Sequence, residues 1–246
     1  MYKRQALAWL EGIGYDTFHG AVIAPGEPAA ERDDYDVVFL RQRLQQALRR
    51  LNPDLPDDAL DEAYRKLTIP ETASLVKNNH GLHRMLVEGV NVEYMNSEGR
   101  IVGTQVKVLD FEEVENNEWL AVNQFTVTEG NFTRRPDVVV FVNGLPIAVF
   151  ELKNAINEDT TIWAAYNQLQ TYKKQVPSLF VYNEALVISD GLTARVGTIT
   201  ASREWFLPWR TIEGDEPADQ TRTQLQVILE GLFNKRRFLD LSLIHI

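Results

Sequence analysis

Residues 135–153 read RPDVVVFVNGLPIAVFELK, and the fold is decided in this stretch. Val138 to Val142 and Ile147 to Phe150 are apolar at every position, the pattern of strands buried on both faces. Asn143-Gly144 between them is a strong hairpin signal, because both residue types accept the positive φ of a tight turn. Two strands, Asp137 to Val142 and Ile147 to Lys153, are therefore expected at the centre of a sheet. Charge sits only at their outer end, with Asp137 at the head of the first strand and Glu151 and Lys153 at the tail of the second. Residues i and i+2 of a strand share a face, so Glu151 and Lys153 point one way and Leu152 the other.

Whether Asp137 joins them depends on register. A two-residue Asn143-Gly144 turn with regular pairing sets Asp137 opposite Phe150 and turns its side chain to the wrong face. A three-residue loop, Asn143 to Leu145, or a β-bulge brings it opposite Glu151. An odd-length loop or a bulge is thus the condition for a site. Under that condition two carboxylates and an amine converge where burial is costly unless they are paired or metal-bound. Magnesium, a hard cation with oxygen ligands, relieves the repulsion of such a pair, with Asp137 and Glu151 as ligands. The cation would neutralise phosphate charge and acidify a bound water. Lys153 would hold that water or stabilise developing negative charge. A solvated strand face with cross-strand ion pairs is the plainer alternative.

Downstream, a helix is predicted from about Thr160 to Gln175, with Ile162, Tyr166, Leu169 and Val176 on one face and Pro177 as its stop. Gln168 and Tyr172 are an i, i+4 pair that either approaches the site or serves as ordinary surface and core. Ala185 to Ser189 and Ala194 to Thr198 read as a strand pair around Asp190-Gly191. Upstream, Leu40, Leu44, Leu48 and Leu51 form a helical stripe ending at Asn52-Pro53. A second helix capped by Asp57 carries Leu60, Ala63, Tyr64 and Leu67, and a third spans about Thr72 to Glu88, stopped by Gly89. The charged segment Glu27 to Asp34 reads as a loop. From Val90 the period shortens to two, predicting strands at Val90 to Tyr94, Ile101 to Phe111 and Trp119 to Val127. Gln224 to Leu241 is helical again, followed by the apolar tail Leu243-Ile244-His245-Ile246.

The 246 residues carry a formal charge of -10 and no cysteine, which excludes disulfides, zinc ribbons and thiol nucleophiles. His19, His80, His83 and His245 form no metal-ligand spacing. No apolar run approaches the length of about eighteen that spans a bilayer, and no leader precedes the first helix, so a cytoplasmic protein without membrane contact is expected. The acidic balance argues against a domain that grips nucleic acid alone, since Lys and Arg supply most non-specific affinity. Arg49-Arg50, Arg134-Arg135, Lys173-Lys174 and Lys235-Arg236-Arg237 are basic clusters, either solvated faces or DNA contacts. The apolar end suggests the front of a longer polypeptide, with an ordinary C-terminal helix as the alternative.

Arg135 to Lys153, followed by Gln168-Leu-Gln-Thr-Tyr172 and Ser189-Asp190-Gly191, closely resembles the N-terminal nuclease region of the R (restriction) subunit of type I restriction-modification enzymes. The likeness extends to Leu51-Asn52-Pro53, to Asn116 through Asn123-Gln124-Phe125 and to Ala194 through Thr198, covering nearly the whole chain. It implies a restriction-endonuclease-like (RecB-like PD-(D/E)xK) fold, with Asp137, Glu151 and Lys153 catalytic and Gln168 and Tyr172 supporting DNA positioning. It further implies Mg²⁺, double-stranded DNA, and methyltransferase (M) and specificity (S) subunits as partners. The family continues into an ATP-driven translocase, whereas this chain has no phosphate-binding G-x-x-x-x-G-K-[ST] loop, so ATP belongs to the full-length protein only. Some related nucleases add an acidic residue or histidine from an early helix; Glu62, Glu71 and His83 are available, and no spacing selects one. A non-catalytic docking module and an autonomous exonuclease are the rival readings. The expected architecture is α/β, one domain over 1–240: a mostly helical layer (1–89), a mixed catalytic sheet (90–200), a connection toward the translocase (201–240) and a tail (241–246).

Overall fold

The computed structural model describes residues 2–153, 161–214 and 216–244. Helix α1 (Tyr2–Gly12) leads into strand β1 (Asp16–His19), and helices α2 (Arg41–Leu51), α3 (Asp57–Thr68) and α4 (Leu75–Glu88) follow. Next come β2 (Val90–Met95), β3 (Ile101–Val106), β4 (Trp119–Asn123), β5 (Val127–Glu129), β6 (Phe132–Arg134), β7 (Val138–Val142) and β8 (Leu145–Leu152). The order closes with α5 (Ile162–Gln175), β9 (Ala185–Ser189), β10 (Ala194–Gly197), α6 (Gln224–Val227) and α7 (Lys235–Ile244). No helix among the described residues is long and apolar enough to cross a membrane.

The central feature is a six-stranded mixed sheet in the order β1-β4-β7-β8-β9-β10. β1 runs parallel to β4 and β8 to β9, while the β4-β7, β7-β8 and β9-β10 pairs are antiparallel. The parallel β8-β9 pair needs a crossover, and α5 supplies it. Every residue of β7 and β8 is buried, as their unbroken apolar sequence requires. Phe141 meets Phe125 edge-on at 5.1 Å, and Phe150 packs against Phe233 at 5.0 Å. Each such ring contributes about 2–3 kcal/mol by leaving water. One buried cluster runs from Ala6 to Leu239, joining sheet and helices.

The hairpin meets the register condition by a bulge, with a two-residue loop in place of the three-residue one. Val142 pairs with Leu145, and Asn143 (φ 50°) and Gly144 (φ 81°) form the loop. Phe141 then pairs with Pro146 but Val140 with Ala148, so Ile147 is the extra residue. Pro146 has no N–H to give the ladder, and a bulge is where that lack is tolerated. Beyond it Val138 faces Phe150, which sets Asp137 opposite Glu151. The turn is buried. Asn143 Nδ2 donates to the Val108 carbonyl and Asn117 Oδ1, both at 2.9 Å, and its Oδ1 accepts from the Glu118 amide at 2.9 Å. The Gly144 carbonyl accepts from the amide of Leu40 at the head of α2 at 2.8 Å.

Other expectations need correction. The sheet expected from 90–200 also takes a strand from the mostly helical N-terminal layer, because Asp16–His19 adds a parallel edge strand. The strands from Val90 to Val106 form a separate two-stranded sheet on α3, where Lys66 Nζ donates to the Asn91 carbonyl at 2.8 Å. The long strands predicted at Ile101 to Phe111 and Trp119 to Val127 stop at Val106 and Asn123, with Val127 opening β5. Asp57 is the first residue inside α3, after Pro56, and makes no side-chain cap. The third helix starts at Leu75 because Ser74 caps it, Oγ accepting from the Lys77 amide at 3.4 Å. The last helix is interrupted: Ile228–Leu232 widens into i→i+5 hydrogen bonding, and Asn234 Oδ1 accepts from the Arg237 amide at 3.3 Å at the head of α7. The expected starting residue Thr160 of α5 lies outside the described residues, as do His245 and Ile246 of the tail.

A Cβ at Gly144 would lie 2.6 Å from the Leu40 carbonyl oxygen, in a backbone region L residues avoid. Gly144→Ala is therefore expected to cost about 2 kcal/mol or more, read as a lowered urea unfolding midpoint.

Candidate active site

Asp137 precedes β7, Glu151 is the penultimate residue of β8 and Lys153 follows β8, so the charged groups gather where the ladder ends. The Asp137 amide still donates to the Phe150 carbonyl at 3.2 Å, while the Leu152 amide turns to the Asp137 side chain, Oδ2, at 2.8 Å. Asp137 is 4% exposed and Glu151 2%. Lys153 Nζ donates to Glu151 Oε1 at 2.8 Å and also to Gln168 Oε1. Gln168 Nε2 donates in turn to the Tyr172 hydroxyl. Helix α5 thus lays its i, i+4 pair against the site: Ala165 and Leu169 are buried beside it, and the Lys153 amide is tied to the Ser189 carbonyl of β9 at 2.7 Å. Of the five residues predicted from sequence, Glu151, Lys153, Gln168 and Tyr172 form one hydrogen-bonded chain, and Asp137 stands opposite Glu151.

Two further side chains reach Asp137 that sequence reasoning did not select. Lys3 of α1 pairs with Oδ1 through a half-exposed side chain, and Gln124 Nε2 donates to the same oxygen at 3.2 Å. Nothing local marks Lys3. Gln124 stood within the resembling Asn123-Gln124-Phe125 stretch but carried no role. The early-helix candidates lie elsewhere: Glu62 pairs with Arg65 at 2.7 Å on α3, Glu71 is exposed, and His83 Nδ1 meets Glu184 at 2.8 Å just before β9. The strand β8 runs parallel to β9, which puts Glu184 at the end of the sheet opposite Glu151.

Electrostatically the centre is strained. Burial first, then the neighbouring Asp137 carboxylate, push the Glu151 carboxyl up to about 7, against the pull of Lys153 and Lys3. Burial, and then Glu151, also raise the Tyr172 hydroxyl. Glu151 Oε2 is buried with no hydrogen-bond partner among the described residues. A carboxylate accepts at about four lone-pair positions. Lys3, Gln124 and the Leu152 amide take three on Asp137, and Lys153 takes one on Glu151. Acceptor capacity therefore remains on both acids. No cluster of three or more His, Asp or Glu side chains forms among the described residues, so the two acids stand as a pair. An orphaned, repelling pair of this kind fits a hard divalent cation whose other ligands are oxygens of water or phosphate.

Most of the basic clusters are engaged internally. Arg49 pairs with Asp57, Arg50 donates to the Asn116 carbonyl at 2.9 Å, Lys173 to the Ile199 carbonyl at 2.5 Å, and Lys235 meets Glu115 at 2.9 Å. Arg134 donates to Gln175 Oε1 at 2.6 Å, and its charge slightly offsets the rise of the Tyr172 hydroxyl. Arg135, two residues from Asp137, is exposed, with no hydrogen-bond or ion-pair partner among the described residues.

The raised Glu151 carboxyl has a sign. The folded state holds this proton more tightly than the unfolded chain, so metal-free protein loses stability as pH rises from the ordinary 4.5 through about 7. Glu151→Gln cannot ionise and is expected to melt higher than the parent at mildly alkaline pH, losing that advantage at acidic pH. Thermal melts across pH with a chelator present measure this.

Comparison with known proteins gives the setting. The family model described as "Type I restriction enzyme R protein N terminus (HSDR_N)" matches residues 2–205. The type I restriction enzyme HindI endonuclease subunit of Haemophilus influenzae is 38% identical over 244 residues, 97% of this chain and 23% of that protein. The putative type I restriction enzyme MjaIXP endonuclease subunit of Methanocaldococcus jannaschii is 32% identical over 257 residues, 97% of this chain and 24% of that protein. The chain thus spans about a quarter of the length of these curated relatives. With the match covering most of its length, the chain belongs to the family of type I restriction enzyme R protein N-terminal regions.

Proposed function

We propose that this chain is the Mg²⁺-dependent endonuclease module of a type I restriction enzyme R subunit, with a RecB-like PD-(D/E)xK fold. Its substrate is the phosphodiester backbone of double-stranded DNA, cut after ATP-driven translocation by motor domains outside this chain. The M and S subunits of the complex are its partners and supply sequence recognition. The observation that carries this reading is the bulge at Ile147, which aligns Asp137 with Glu151 beside Lys153 and Gln168 in a buried corner. A buried charge group costs several kcal/mol, and a solvated strand face would not hold one. Membership of the R-protein family supports the reading independently.

Asp137 and Glu151 hold the cation, which supplies charge neutralisation at the phosphate and Lewis acidity. Lys153 is aimed by two acceptors, Glu151 and Gln168, so its ammonium has one remaining proton for the attacking water or a non-bridging phosphate oxygen. Water adds to phosphorus as one P–O ester bond breaks, and the proton that the water loses is balanced by one taken up at the leaving oxygen. Gln168 and Tyr172 form a relay that fixes Lys153 from the helix side and faces the strand. Arg135, exposed and without an ion-pair partner among the described residues, would meet a flanking phosphate. The formal charge of -10 makes DNA affinity depend on the rest of the complex.

In the full R subunit with its partners, Lys153→Ala is expected to lower DNA cleavage by at least about a hundredfold while ATP hydrolysis continues. Equal cutting by the variant would refute the nuclease reading in favour of a docking module. Degradation from DNA ends by this chain without ATP would favour an exonuclease.

A further inference from the structure

Gln124 stands at the corner where β4 ends, in a left-handed backbone conformation with φ 56°. Side chains with a Cβ seldom adopt that region, and glutamine lacks the short local hydrogen bonds that let asparagine do so. The surroundings hold it there. Its amide donates to the Asp137 carbonyl at 3.1 Å, and the Gly20 amide donates to the Asn123 carbonyl at 2.7 Å. Gly20 packs so closely that a Cβ on it would collide with the Gln124 carbonyl oxygen. Backbone strain of this kind persists only where the environment over-determines it, and it concentrates at functional sites.

What the strained corner achieves is visible in the side chain. β4 neighbours β7 and β7 neighbours β8, so Gln124, Asp137 and Glu151 form one row across three strands. From that row Gln124 Nε2 donates to Asp137 Oδ1 at 3.2 Å. Lys3 contacts the same oxygen, but its side chain is 47% exposed, and its positive charge competes with any cation. Gln124 is neutral and held by its backbone, so it can stay on Oδ1 when a cation arrives. With the Leu152 amide on Oδ2, it pins the carboxylate from both ends.

We propose that Gln124 is a positioning residue that holds the Asp137 carboxylate in one orientation beside Glu151, pre-organising the pair for a divalent cation. The inference rests on Asp137 and Glu151 being metal ligands, and it adds a residue that touches neither cation nor substrate. Partners that orient a ligand typically change metal affinity by about ten- to a hundredfold when removed.

The test is Mn²⁺ binding to the 246-residue chain without DNA, by calorimetry, in the parent, Gln124→Gly, Gln124→Asn and Glu151→Gln. Glycine takes the left-handed φ freely and asparagine tolerates it, so both variants keep the corner, and neither reaches Oδ1. The Mn²⁺ Kd is expected to rise about tenfold in both Gln124 variants. The thermal midpoint of Gln124→Gly should stay at or above the parent's, a combination that a merely structural glutamine would not produce. Equal Mn²⁺ affinity in parent and Gln124→Gly would overturn the proposal and leave the metal-ligand reading standing. A parent that binds no Mn²⁺, or binding unchanged in Glu151→Gln, would overturn both.

Discussion

Two carboxylates buried side by side at the end of a dry hairpin are the constraint around which the rest is arranged. Ionised and alone, each would cost several kcal/mol in that position, and their mutual repulsion adds to it. The chain answers with four donors from three segments: Lys3 from the first helix, Gln124 from the corner after β4, and the Leu152 amide and Lys153 side chain at the end of β8. Those donors leave Glu151 with a single partner. The Glu151 carboxyl remains raised and its Oε2 unpartnered among the described residues.

Geometry at this point depends on the far end of the same hairpin. The tight Asn143-Gly144 loop alone would direct Asp137 away from Glu151, and the single extra residue, Ile147, reverses that. The bulge is itself locked, since the Ile147 carbonyl accepts from the Glu184 amide at 2.7 Å while the turn is buried against α2 and Asn117. A hairpin tip is usually solvent-exposed; here burial and a full set of hydrogen bonds to Asn143 fix the register that sets Asp137 opposite Glu151.

Under the proposed function, the formal charge of -10 makes this a module that borrows its grip on DNA. Most of its arginines and lysines serve the fold: Arg43 bridges Glu31 and Glu118, and Arg32 lies 3.8 Å over the Phe125 ring in the otherwise charged loop after Glu27. Lys3, Lys153 and the exposed Arg135 gather positive charge around Asp137. Local distribution, rather than net charge, governs what such a corner attracts.

By itself the sequence determined the central hairpin, the shared face of Glu151 and Lys153 and the helix that presents Gln168 and Tyr172, because apolar runs, helical spacing and turn chemistry are properties of short segments, while the family followed from the resemblance carried by Arg135 to Lys153, Gln168 to Tyr172 and Ser189 to Gly191. It stated the register condition without deciding between loop and bulge, since both satisfy the same spacing. Only the tertiary structure decided that Ile147 bulges, that Asp16–His19 completes the sheet, and that Val90–Val106 leaves it for a sheet of its own. Lys3 and Gln124 came to Asp137 in the same way. Their partner lies on a distant segment, and no local pattern records a contact whose energy comes from packing the chain around a buried charge.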